Sequence, residues 1–159
     1  MHLVRLIYAS RPASPFGIRE MVELLETCRH CNEKQDITGM LAFSNEGFLQ
    51  VLEGGAANVN RLYHRIAIDP RHDQLSLLAF SEVAEREFPD WSMAALDVVG
   101  LDARRRAATL MQFGTSAVFD PFSMNATSAL RLMIAWRTEV VTGAGPAARL
   151  PYGATPPAG

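Results

Sequence analysis

The chain has 159 residues, of which 48% are hydrophobic and 20% are charged, and its formal net charge is -2 with a pI near 6.1. This length and composition fit one compact domain whose core is large enough to be stable without disulfides or bound metal. The net charge is slightly negative, whereas nucleic-acid-binding proteins carry an excess of positive charge. The charge balance predicts no nucleic-acid partner. Because no apolar run reaches about eighteen residues, we expect a cytoplasmic protein that does not bind a membrane.

The chain opens with a predicted strand and a predicted helix. Residues 2–9 place Leu3, Arg5 and Ile7 on one side and Val4, Leu6 and Tyr8 on the other, which predicts a strand that is buried on at least one face and carries Tyr8 near its end. Ser14 and Pro15 predict the start of a helix that ends near Asn32, because serine caps helices and proline is tolerated in the first turn.

A β-hairpin is predicted over residues 37–54, with its turn at 45–47. The period of two places Phe48, Gln50 and Leu52 on one face of the second strand. A buried amide without a hydrogen-bond partner costs about 1–3 kcal/mol, so Gln50 requires a polar partner from the protein or a ligand.

The next elements complete a sheet. A second helix is predicted at about 59–66, and it ends before Asp69 because the residue that precedes a proline is pushed out of helical geometry. Strands at about 75–83 and 91–98, the latter beginning with Trp91 and Met93, give the order β-α-β-β-α-β-β. The predicted fold class is α+β, a ferredoxin-like sheet with both helices on one face.

Two further helices are predicted after this sheet, at about 101–113 and 123–141. We expect them to cover the bare face of the sheet or to pack on a partner subunit. The domain boundaries are therefore placed at 1–98 for the sheet domain, 99–142 for a helical extension and 143–159 for a disordered tail.

No catalytic or metal site is predicted. Cys28 and Cys31 have C-x-x-C spacing, but they fall near the end of a predicted helix with only His30 nearby, which disfavours a redox couple or a zinc site. No Ser-His-Asp or paired-carboxylate set is evident, so the protein is not expected to be an enzyme. Glu53 is interpreted as a charge at a strand end.

Six segments carry a more specific signal through their order and spacing: Leu-Ile-Tyr-Ala-Ser at 6–10, Cys-Asn at 31–32, Ile-Thr-Gly-Met-Leu at 37–41, Phe-Leu-Gln-Val-Leu-Glu-Gly at 48–54, Asp-Pro-Arg-His at 69–72 and Phe-Pro-Asp-Trp-Ser-Met at 88–93. Over about residues 2–98 they resemble the BLUF family of blue-light sensors that use flavin. The resemblance implies that FAD, with FMN as the other possibility, binds between the two helices. It also implies a signal to a downstream effector protein in trans.

The resemblance implies roles for single residues. It assigns the photochemistry to Tyr8 and Gln50, and one of Trp91 and Met93 lies beside the glutamine. Asn32 is expected at the pyrimidine edge of the ring, while Cys31 stands where family members vary. Leu41, Phe48 and Ile66 are expected to pack against the ring. Asp69, Arg71 and His72 are expected to lie towards the ribityl phosphate. The complete cofactor-binding set that the resemblance implies is Tyr8, Ser10, Cys31, Asn32, Leu41, Phe48, Gln50, Ile66, Asp69, Arg71 and His72.

The expected switch is a change of hydrogen bonds. Electrons and protons move from Tyr8 through Gln50 to the excited flavin, and Gln50 then rotates or tautomerises so that it donates to the flavin C4 carbonyl. This donation shifts the absorption slightly to the red.

Two other hypotheses compete with this one. A flavin-free ferredoxin-like interaction domain would have Gln50 and Asn32 satisfy each other. A hydrolase of the acylphosphatase type shares the strand order, but no Gly-rich loop follows Arg11 and Pro12. Homo-oligomerisation is also expected, from apolar residues of the last helix: Met133, Ile134 and Trp136.

Overall fold

A computed structural model describes residues 2–114 and 116–141 of the chain; the tail predicted at 143–159 lies outside these residues. The elements in chain order are β1 (Leu3–Pro12), α1 (Ile18–Lys34), β2 (Thr38–Phe43), β3 (Phe48–Gly55), α2 (Ala56–Ala67), β4 (His72–Glu82), β5 (Ala94–Asp97), α3 (Ala103–Phe113) and α4 (Ala126–Val141), with a 3-10 helix at Pro121–Ser123 before α4.

The five strands form one sheet in the order β4-β1-β3-β2-β5. Strand β1 pairs antiparallel with β3 and β4, β2 pairs antiparallel with β3, and β5 runs parallel to β2 at the edge. The predicted ferredoxin-like α+β fold with one added strand is therefore confirmed.

The predicted start of the first helix is wrong. Helix α1 begins at Ile18 rather than at Ser14 and Pro15, and it continues past Asn32. The backbone N–H of the N-cap residue, Gly17, donates to Glu20 Oε2 at 2.9 Å. The carboxylate of Glu20, at the third position of the helix, thus accepts the N–H of the N-cap residue, and this local hydrogen bond stabilises the start of α1 at Ile18.

Two strand boundaries also differ from prediction. Strand β4 begins at His72 because its pairing with β1 extends to Pro12. Strand β5 is shorter than predicted and begins at Ala94, since only residues 40–43 of β2 lie beside it. Trp91 and Met93 therefore precede β5 instead of beginning it.

The last helix begins later than predicted. Helix α4 starts at Ala126, and the residues around Ser123 form the separate 3-10 helix. Pro121 stands at the start of that short helix, where Asp120 caps it by accepting the N–H of Phe122. Met124 then continues in extended conformation, so the short helix and α4 are separate elements.

The sheet separates two apolar cores. The cleft-side core lies under α1 and α2 and contains Val4, Leu6, Tyr8, Met21, Leu25, Leu41, Phe48, Leu52, Val59 and Met93, among others. The α4-side core contains Ile7, Met40, Leu49, Val51, Phe88, Trp91, Leu96, Leu132, Met133 and Trp136, among others. Helix α4 thus covers the second face, as expected, and α3 packs on α4. None of the helices among the described residues is long and apolar enough to cross a membrane.

Candidate functional site

A cleft of about 290 Å³ opens between α1 and α2 above the sheet. Its walls are mostly apolar and come from both helices and from two strands: Leu24, Leu25, Leu41, Phe48, Leu62 and Ile66. Polar side chains stand in two groups, one around Tyr8 and Gln50 on the sheet and one around Asp69 and Arg71 after α2. A largely apolar cleft with a small number of placed polar groups suits a small organic ligand.

Tyr8 and Gln50 form the polar centre of the cleft floor. They lie directly opposite each other in the β1–β3 pairing, and the Tyr8 hydroxyl donates to Gln50 Oε1. Both side chains are buried, and burial raises the pKa of Tyr8 well above its usual range, so the phenol keeps its proton. The prediction that Gln50 has a polar partner is confirmed.

The other end of the Gln50 amide contacts sulfur. Gln50 Nε2 donates to Met93 Sδ at 3.2 Å, and a thioether is a weak acceptor. Met93 is therefore the member of the Trp91–Met93 pair that lies beside the glutamine. Trp91 lies in the α4-side core, does not line the cleft, and its buried Nε1 has no hydrogen-bond partner among the described residues.

The end of α1 holds the segment that carries Met93. Asn32 Nδ2 donates to the Ser92 carbonyl at 2.8 Å, and Arg29 Nε donates to the Met93 carbonyl at 2.9 Å. Partial burial lowers the pKa of Arg29. Asn32 lines the cleft, and its Oδ1 accepts no hydrogen bond from the described residues, so this oxygen is free to bind a ligand. Gln50 and Asn32 do not bond to each other, contrary to the flavin-free interpretation.

Asp69, Arg71 and His72 line the cleft beyond α2. Arg71 Nε donates to Asp69 Oδ1 at 2.9 Å, and this ion pair lowers the pKa of Asp69 and raises that of Arg71. His72 Nδ1 lies 2.8 Å from Ser10 Oγ, and burial lowers the pKa of His72. Ser10 does not itself line the cleft; it contacts the site through His72.

Cys31 lines the cleft as implied, together with residues that the sequence analysis did not assign to the site. The additional lining residues are Leu24, Leu25, Thr27, Cys28, Leu62 and Arg65. The positions 24, 27, 28 and 31 repeat at intervals of three and four, so they share one helix face, and this spacing was the available signal. Burial raises the pKa of Cys28, which keeps the thiol protonated.

A second cleft of about 310 Å³ adjoins the first. The two clefts share four lining residues, Leu24, Thr27, Phe48 and Arg71. The second continues towards the start of α1, where Ser14, Phe16 and Glu20 line it. The site thus extends past the Asp69–Arg71 pair.

Comparison with known sequences identifies relatives. The BLUF family model, described as sensors of blue light using FAD, matches residues 3–94. The chain is 33% identical over 94 residues to photoactivated adenylate cyclase subunit beta of Euglena gracilis, which covers 58% of this chain and 11% of that protein. It is 30% identical over 96 residues to the blue light- and temperature-regulated antirepressor BluF of Escherichia coli strain K12, covering 60% of this chain and 24% of that protein. The chain therefore spans about a tenth to a quarter of the length of these curated relatives.

Solved structures show the same fold. The dark-state structure of BlrB, a BLUF protein, matches with a TM-score of 0.68 at 28% identity and covers 86% of this chain and 97% of that chain. The photo-activated state of BlsA matches with a TM-score of 0.70 at 25% identity and covers 82% of this chain and 91% of that chain. These likenesses extend beyond the segment 3–94.

Proposed function

Because the chain belongs to the BLUF family, the sensors of blue light that use FAD, we propose that it is a light-sensing domain that holds a flavin non-covalently in the cleft between α1 and α2. The observation that carries the proposal is the buried hydrogen bond from Tyr8 to Gln50 at the floor of that cleft. In this proposal the domain senses light and has no catalytic activity of its own.

The residues of the cleft fit a flavin. Apolar side chains from both helices match the faces of a planar ring, and the free Asn32 Oδ1 matches a ring N–H. Gln50 Nε2 donates only to a weak sulfur acceptor, so a ring carbonyl would be a better partner. Arg71 and His72 suit the anionic phosphate of the tail, with Asp69 near the ribityl hydroxyls.

The bound flavin supplies the absorption of blue light and an electron-accepting excited state. The protein supplies a proton that is held on Tyr8 Oη and lies on a direct bond to Gln50 Oε1. Reversible movement of this proton permits Gln50 to exchange its donor and acceptor ends, by rotation or by tautomerisation. Nε2 then leaves Met93 Sδ, and the contact between the cleft floor and the Met93 segment changes.

We propose FAD, rather than FMN, as the bound form. The second cleft supports this, since it continues from Arg71 along α1 and offers room for an adenosine half beyond the ribityl phosphate. Denaturing the purified protein and separating the released flavin by chromatography tests this: FAD is expected, and FMN as the main species would overturn the assignment.

We further propose that the signal passes to an effector protein in trans. The Escherichia coli relative BluF is a blue light- and temperature-regulated antirepressor, which supports a regulatory output. Homo-oligomerisation is also proposed, but on a different surface from the one expected, because Met133 and Trp136 are buried in the α4-side core. Exposed Leu77 and Phe80 on the edge strand β4 now support it. The cytoplasmic location stays a prediction.

The test is an absorption spectrum of the purified protein in the dark and after blue light. Flavin bands that move to longer wavelength and then return are expected. A yellow protein without a reversible shift would overturn the switch, and a colourless protein that takes up no added flavin would support the interaction-domain hypothesis.

A further inference from the structure

The segment from Glu87 to Met93 contacts both cores of the protein. Phe88 and Trp91 pack in the α4-side core with ring centroids 6.3 Å apart, whereas Met93 packs in the cleft-side core. Because the sheet separates the two cores, this segment is a covalent link between the cleft and the face that α4 covers.

Charged side chains from two elements hold the start of this segment. The Glu87 N–H donates to Glu53 Oε1 at 3.0 Å, and the Phe88 N–H donates to Glu53 Oε2 at 2.9 Å. Glu53 is fully buried and belongs to β3, the strand that also carries Gln50. The Glu87 carbonyl accepts from Nη1 of Arg137 on α4. Both polar groups of the Glu87 backbone are thus bound, one from the sheet and one from α4.

Arg137 makes two further contacts with Glu87 and Phe88, the two residues that we call the Glu87–Phe88 turn. Its Nη1 lies 3.5 Å from the Glu87 carboxylate, and its Cζ lies 5.9 Å from the centroid of the Phe88 ring. Arg131 on the same helix is exposed and forms no ion pair among the described residues. Arg137 is therefore the charged contact between α4 and the segment that leads to the cleft.

We propose that Arg137 couples α4 to the cleft by binding the Glu87–Phe88 turn, which Glu53 fixes from the side of the sheet. This coupling rests on the proposed function, since the loss of the Gln50–Met93 contact is the event that changes the position of the segment. Light then weakens the Arg137 contacts with the turn, and the last turns of α4 loosen.

Hydrogen exchange of the flavin-loaded full chain, in the dark and under blue light, tests the coupling. In the unmodified protein the amides of residues 133–141 are expected to exchange about tenfold faster in the light, as the weakening of one charged hydrogen bond permits. Arg137→Gln is expected to keep the flavin red shift and to lose this light-dependent difference. The control, Arg131→Gln, removes a charge from the same helix and is expected to keep both.

The outcomes separate the two proposals. A normal red shift with no light-dependent exchange in α4, or with an unchanged difference in Arg137→Gln, overturns the coupling and leaves the sensor function intact. Absence of the red shift in the unmodified protein overturns the sensor function and the coupling with it.

A second variant covers the case in which Arg137→Gln detaches α4 in the dark. Arg137→Lys keeps a positively charged donor for the Glu87 carbonyl, and it is expected to retain the light-dependent difference. If Arg137→Lys loses the light-dependent difference while its exchange in the dark is unchanged, the contact with the Glu87 carbonyl does not couple α4 to the cleft.

Discussion

Arg5 on β1 donates its Nε–H to the carboxylate of Glu53 on β3 at 2.6 Å, and that carboxylate is completely buried. Two backbone N–H groups of the Glu87–Phe88 turn donate to the same carboxylate. The strand pairing brings these groups together, because Arg5 and Glu53 are direct partners in the β1–β3 register.

The first prediction concerns this buried carboxylate. Glu53→Gln keeps the shape of the side chain. Both carboxylate oxygens accept hydrogen bonds, so in either orientation the amide NH₂ group faces N–H donors. We therefore expect a loss of about 2–4 kcal/mol in the free energy of unfolding. Urea titration measures it. Glu46→Gln, at an exposed turn, is the control and should change the free energy by less than about 0.5 kcal/mol. An equally small loss in Glu53→Gln would show that the turn is held by other contacts.

The second prediction concerns the amide in the cleft. Gln50→Leu leaves the apolar walls in place, so flavin binding is expected to persist, while the light-dependent red shift should disappear because no amide can exchange hydrogen bonds. The variant also leaves the buried Tyr8 hydroxyl without its acceptor, at a cost of about 1–3 kcal/mol. Absorption spectroscopy checks the shift. The exposed Gln112→Leu should behave like the parent protein, and a normal shift in Gln50→Leu would contradict the mechanism.

The third prediction concerns the positioning of Met93 by Arg29. Replacing Arg29 with Met removes the donor to the Met93 carbonyl, which leaves the Met93 sulfur less well placed to re-form its contact with Gln50. Thermal recovery of the dark spectrum is expected to slow by about three- to tenfold. Arg29→Lys, which keeps a donor, should recover part of the rate.

Arg19→Met on the same helix is the matched control for this change. The Arg19 side chain is 89% exposed and forms an ion pair with Glu23, one turn along the helix. Its variant should recover at the parent rate. Equal rates for Arg19→Met and Arg29→Met would show that the Arg29 contact does not position Met93.

The fourth prediction concerns pH. Burial lowers the pKa of His72 below its ordinary value of 6.5, so the unfolded chain binds the proton more readily than the folded protein does. Stability should therefore fall as the pH decreases through about 6.5, and it should be restored at higher pH. Unfolding by urea at about pH 7.5 and about pH 5.5 measures the slope.

Replacing His72 with Gln should reduce this slope, because the variant has no titrating group beside Ser10. His64→Gln, at an exposed position on α2, provides the comparison for the same substitution away from the cleft. A slope that survives in His72→Gln would assign the pH dependence to other groups.

The sequence by itself determined the order of the local elements and the face on which the side chains of the hairpin strand lie. Alternation with period two is a property of the extended backbone, so the side of the sheet that Gln50 shares with Phe48 and Leu52 followed directly from their spacing. The need for a polar partner followed from the cost of burying an unpaired amide. The predicted start of α1 was wrong. The helix is capped at Gly17, whose N–H bonds to Glu20, and not at Ser14.

Only the tertiary structure decided which distant groups meet. Asn32 binds the carbonyl of Ser92, Arg29 that of Met93, and Glu53 the amides of the turn that follows β4. No local pattern marks these pairs, because each joins elements that are far apart in the chain and close only once the sheet has formed. Glu53 was interpreted as a strand-end charge for that reason: a carboxylate next to Gly54 looks exposed until the sheet and the Glu87–Phe88 turn enclose it.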